Sequence, residues 1–78
     1  MKLSEARFLF DSHMVHDGKI LPAKSGDGWV LELSVDDKVA HPKKIHTERG
    51  AVRIFKSTDA AVSAARSIGL KSVTVQIA

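Results

Sequence analysis

The stretch "KSTDAAVSAARSIGLKSVTVQI", residues 56–77, leaves the chain less freedom than any other part of it. Ser57 or Thr58 can accept from first-turn amides, and Asp59 stands where the positive end of a helix dipole favours an anion. Ala61, Val62, Ala65 and Ile68 then recur at helical spacing on one side, with Asp59, Ser63, Arg66 and Ser67 on the other. Gly69 is placed to supply a left-handed cap, and Leu70 the apolar contact that goes with it. The apolar side is mostly alanine. A helix with so little bulk must approach closely whatever it covers, and a flat sheet suits that approach. Val73, Val75 and Ile77 next alternate with Ser72, Thr74 and Gln76, while Val52 and Ile54 flank Arg53 ahead of the helix. Residues 51–77 therefore read as strand, helix, strand.

Upstream, "GWVLELSV" puts Trp29, Leu31, Leu33 and Val35 on one side and Val30, Glu32 and Ser34 on the other. "GKILPA" and the glycine-containing loop "KSGDG" precede it, so residues 18–35 read as a β-hairpin. Pro22 lacks a ladder donor, which points to an edge position for the first of these strands. "KKIHTERGAVRIF" reads as a second hairpin turning at Gly50. At the start, "LSEARFLFDSHMV" has Ser4 as a cap and Leu3, Ala6, Leu9 or Phe10, and Met14 at helical spacing, against a competing strand through "RFLF".

The expected architecture is a single α+β domain over residues 1–78, in two layers, with element order α-β-β-β-β-α-β. Four or five short strands, drawn from 18–23, 28–35, 43–47, 51–55 and 72–77, form a mostly antiparallel sheet. A helix over 58–68 covers one face, and an N-terminal helix packs beside it or serves an interface. Seventy-eight residues suit one core, which hides about 60–65% of the unfolded surface. No cysteine is present to staple it, which fits a cytoplasmic setting. Arg7, Asp11, His13 and His16 interrupt any signal-like run, and no segment approaches the ~20 apolar residues of a membrane span.

Candidate chemistry is sparse. His13, His16 and Asp17 lie close in sequence, but zinc wants three or four ligands, and His41 and His46 complete a set only if folding gathers them. Ser12, His13 and Asp11 are sequence neighbours, which is not how a catalytic triad is assembled in space. "SGDGW" precedes a strand and so lacks the helix N-terminus that holds phosphate, and Asp36 and Asp37 sit beside Lys38 as solvated loop charges. The chain reads as a non-enzyme, with no metal, cofactor, small-molecule substrate or membrane expected.

Charge is more informative. Net charge is +3, yet residues 1–39 carry five Lys/Arg against seven Asp/Glu, and residues 40–78 carry seven against two. Such polarity suits a polyanion or an acidic partner at one end. Lys43, Lys44, Arg49, Arg53 and Lys56 surround a single acid, Glu48, on the second hairpin. Cations on a twisted ribbon can follow phosphates, with Arg66 and Lys71 as a rim, and duplex DNA is the expected nucleic acid because interleaved aromatics are lacking. The plain alternative is an outward face whose lysines discourage edge-to-edge pairing. A rival reading is a homodimeric interaction module, pairing through an edge strand or the apolar N-terminal segment Leu3, Phe8, Leu9, Phe10 and Met14.

Arg49, Gly50, Arg53, Phe55, Ser57, Asp59, Ala60 and Ala61 form an R-G-x-x-R-x-F-x-S-x-D-A-A run. Residues 47–75 resemble a pattern in small proteins, and in terminal segments of larger ones, from proteobacterial plasmids and other mobile elements. Thr58 departs from that pattern, which has an apolar residue there. The resemblance implies a setting, plasmid maintenance, and no activity. The order helix, three strands, helix is also similar to the double-stranded-RNA-binding domain. The second helix here begins Lys56, Ser57, Thr58, Asp59 without that family's lysine cluster, and a further strand follows it.

Overall fold

The computed structural model describes residues 1–35 and 42–77. In chain order it contains α1 (Leu3–Asp11), β1 (Val15–Pro22), β2 (Trp29–Val35), β3 (Lys43–Lys44), α2 (Thr58–Ile68) and β4 (Thr74–Val75). The sheet order is β3-β2-β1-β4; β1 pairs antiparallel with β2, β2 antiparallel with β3, and β4 runs parallel to β1. This is the α+β class expected, with two helices packed on one face of a mostly antiparallel sheet. No helix among the described residues is long and apolar enough to cross a membrane.

The alanine-faced helix behaves as its composition requires. Ser57 caps α2 by accepting from the Ala60 amide at 3.1 Å. The buried stripe is Ala61, Ala64, Ala65 and Ile68, a full i, i+3, i+4, i+7 set, so Val62 lies at its half-buried margin rather than its centre. These small residues let α2 sit down on β1 and β2, where Ile20, Leu31, Leu33 and Ile45 are fully buried. Gly69 closes α2 at φ 122°, with its amide on the Arg66 carbonyl at 3.0 Å and the Leu70 amide on Ala65 at 3.1 Å. A Cβ at Gly69 would lie 2.6 Å from the ring of Phe10, so the glycine also lets α1 pack against the end of α2.

Residues 3–11 are helix, not strand, and the first turn starts from Lys2, not Ser4. The Lys2 carbonyl accepts from Ala6, and its amide donates to Glu5 Oε1 at 3.3 Å. α1 ends with Met14 N–H on the Leu9 carbonyl and His13 N–H on Phe10, both at 2.9 Å, and His13 takes the left-handed position at φ 61°.

Three expectations need correction. β1 begins at Val15, three residues earlier than read, with an irregularity between Val15 and Asp17, so His16 and Asp17 belong to a strand and not to a helix end. Pro22 does not mark an edge, because β1 lies between β2 and β4. β4 pairs with Lys19 and Ile20, beyond which the missing proline donor costs nothing. The second hairpin is not a regular ladder. Lys43, Lys44 and Ile45 line the outer side of β2, and the chain turns at 47–50 with Gly50 at φ 89°, as expected. The arms pair briefly, through the Thr47 amide on the Ala51 carbonyl at 2.7 Å and the Arg53 amide on the Ile45 carbonyl at 2.9 Å, before Phe55 and Trp29 exchange two bonds of 2.8 Å. Residues 51–55 thus form single bridges instead of a fifth strand. The cause is that β2 has one edge left, and Lys43–Ile45 and Phe55 occupy it in turn. Met1 and Lys2 run along the far side of this segment, with the His46 amide on the Met1 carbonyl and a parallel bridge between Lys2 and His46.

Candidate functional site

Alternation along β3 separates the two lysines that open the basic stretch. Lys44 pairs with Glu32 and shares its face, the one not covered by helices; Lys43 pairs with Leu33 and shares the helix-covered face, beside buried Ile45. Past the turn, Arg53 lies over the Phe55 ring at 5.1 Å, a cation–π contact that also holds the guanidinium to the covered side. Phe55 itself is buried in the core. Glu48 is engaged by Lys2 at 3.4 Å, an exposed pair that pins the turn to the N-terminal segment but contributes little to stability. Arg49 stands exposed in the turn, Lys56 just before α2, and Arg66 and Lys71 on the helix side. The seven candidate cations are therefore spread over both faces and the turn, and do not form one stripe. Among the described residues, Arg49, Lys56, Arg66 and Lys71 have no carboxylate within 4 Å.

The N-terminal candidates divide as well. Leu3 and Phe10 pack against the core, and Leu9 and Met14 are half-buried. Phe8 alone points away, 70% exposed.

The concave surface includes Val52, Ile54 and Ile77, which alternation assigns to the apolar sides of their strands with Arg53 outward; the structure reverses this, exposing all three and holding Arg53 on the covered side. On the open side of the sheet, Leu21, Val30, Val52, Ile54 and Ile77 line a depression of about 670 Å³, with Lys24 and Lys44 at its margin beside Glu32. Val52 is 37%, Ile54 49% and Ile77 79% exposed, a concentration of uncovered aliphatic side chains on one surface. Ile54 also borders a neighbouring hollow with Lys56. The signal existed in the sequence as apolar residues at both parities of one strand (Ile20 with Leu21, Val30 with Leu31), but parity assigns faces only after it is known which face the helices cover. A second, polar hollow at the other end of the same face is lined by Asp17, Lys19, Glu32, Ser34 and Thr74.

The histidine candidates take structural places. His13 is the left-handed residue ending α1, and His46 Nδ1 lies 2.7 Å from the Met1 amino group and 2.8 Å from the Lys44 carbonyl. His16 is exposed in β1, while His41, Asp36, Asp37 and Lys38 lie outside the described residues. Among the described residues no three His, Asp or Glu side chains converge as metal ligands. Ser12 donates to the Phe8 carbonyl at 3.0 Å, a helix-end contact. Comparisons with protein-family models, with curated proteins and with solved structures find no match to this chain.

Proposed function

We propose that this protein is a small non-enzymatic interaction module whose docking surface is the open face of its sheet. The observation that supports this most is the aliphatic depression around Ile54, left uncovered while both helices crowd the opposite face. Sheet faces without helices are normally polar, and a domain of this size has few apolar side chains to spare from its core. Lys24 and Lys44 beside the apolar floor favour a partner that is apolar with flanking acids. The test is an amide-shift titration with a short amphipathic peptide bearing leucines on one side and glutamates on the other. Perturbation at Leu21, Val30, Val52 and Ile54 is expected. Perturbation confined to the helix layer, or none at millimolar peptide, would refute the reading. The uncapped edge at β4 offers the same class of partner a strand to extend.

A second reading, duplex-DNA binding, is favoured by the cations that lack carboxylate partners. Arg49, Arg53 and Lys56, on and just past the turn, would touch phosphates, with Arg66 and Lys71 more distant. Lys43 and Lys44 cannot both reach one backbone from opposite faces. Three contacts predict that log affinity falls against log salt with a slope of about −2.7. A flat response would exclude it. The likeness of residues 47–75 to segments carried by plasmids and mobile elements sets either reading in plasmid maintenance, in the cytoplasm.

A further inference from the structure

The surface opposite the depression carries its complement. Phe8 is the one large aromatic left exposed, and its neighbours one helical turn away are Ser4, Glu5, Asp11 and Ser12, all exposed. α1 thus presents an aromatic knob with a carboxylate on either side along its axis. The open face presents an aliphatic hollow around Ile54 lined by Lys24, Lys44 and one acid, Glu32, a net positive margin. Knob and hollow lie on opposite layers of the domain, so one molecule cannot satisfy itself.

We propose that the occupant of the open-face depression is the Phe8 side of α1 from a second copy of this chain. The inference rests on the reading of that depression as a docking surface. The contact is heterologous, knob of one copy into hollow of the next, so association runs head to tail and either closes into a ring or continues as a chain. It accounts together for the exposed aromatic, the uncovered aliphatic face and the opposite charge of their surroundings. An interface built on one aromatic anchor belongs to the weak, transient class, so assembly depends on concentration.

The geometry dictates a complementation experiment. Phe8→Ala removes the knob and keeps the hollow; Ile54→Asp spoils the hollow and keeps the knob. Both positions are exposed, and unchanged amide spectra of the dilute variants check that each folds. In sedimentation the unmodified chain should grow with concentration, and each variant alone should stay monomeric, its association weakened more than about thirtyfold. An equal mixture of the two should stop at a one-to-one dimer, since only one knob and one hollow remain intact. As an independent arm, Lys24→Glu should weaken association and Asp11→Lys mixed with it should restore part of it. If both single variants associate as the unmodified chain does, pairing is through another surface, such as an isologous β4 edge, and the proposal is overturned. If Ile54→Asp abolishes association and Phe8→Ala does not, the hollow is a docking surface with a different occupant; the proposal falls and the module reading stands. A monomer at millimolar concentration also overturns it, and the peptide titration then decides the module reading separately.

Discussion

Replacing Gly28 with alanine should be among the most damaging single-methyl changes in this protein. Gly28 ends the β1–β2 turn at φ 91°, a region where an L side chain costs about 1–2 kcal/mol. The added Cβ would also stand 2.6 Å from the Phe55 carbonyl oxygen and 2.6 Å from Ile54 Cγ2. The isoleucine can turn aside. The carbonyl cannot, because it accepts from the Trp29 amide at 2.8 Å while Phe55 donates to the Trp29 carbonyl at 2.8 Å, and this pair is where the chain rejoins β2. Loosening two bonds worth about 0.5–1.5 kcal/mol each brings the expected loss to about 3 kcal/mol. That is a large part of the roughly 4–12 kcal/mol available to a domain of this length. At about 4–8 °C per kcal/mol, the thermal midpoint should fall by about 12–24 °C. Gly26 supplies the control. It has φ 85° with nothing within 4 Å of its added Cβ, so Gly26→Ala should lose only the backbone share, about 1–2 kcal/mol. The assay is thermal melting of both variants, with hydrogen exchange at Trp29 and Phe55. Equal losses at the two glycines, or unchanged protection of those amides in Gly28→Ala, would show that the close approach is not what holds residues 51–55 to the sheet.

Other substitutions probe the helices. Ser57→Ala should cost about 1 kcal/mol by urea denaturation and Ser57→Gly only a few tenths, since Ser57 Oγ satisfies the Ala60 amide. Ala61→Leu should lose about 1–3 kcal/mol from overpacking where α2 meets the sheet, whereas Ala60→Leu, exposed one residue away, should stay within about 0.5 kcal/mol. His13→Gly should raise the thermal midpoint slightly, by about 0.5 kcal/mol of stability, because it relieves a left-handed residue whose N–H and neighbours already form the α1 cap.

What the chain declares by local chemistry alone is the set of its elements. The capped, alanine-faced α2, the Gly69 stop and the hairpin through "KSGDG" follow from spacing, capping and turn residues, which act within a few positions. Tertiary structure alone decided how those elements share one sheet. β2 has a single outer edge, so Lys43–Ile45 and Phe55 must take it in turn, and the expected hairpin narrows to a short pairing of residues 45–47 with 51–53. β4 joins the far side of β1 at Lys19 and Ile20, so β1 is an inner strand while Pro22 stays exposed just beyond the pairing. Both helices settle on one face, which leaves Leu21 and Val30 on the open side, and the pairing of Phe55 with Trp29 turns Val52 and Ile54 to that same open side. Period-two alternation says which residues share a face; it is silent on which face is covered, because that depends on where helices distant in sequence find room to pack.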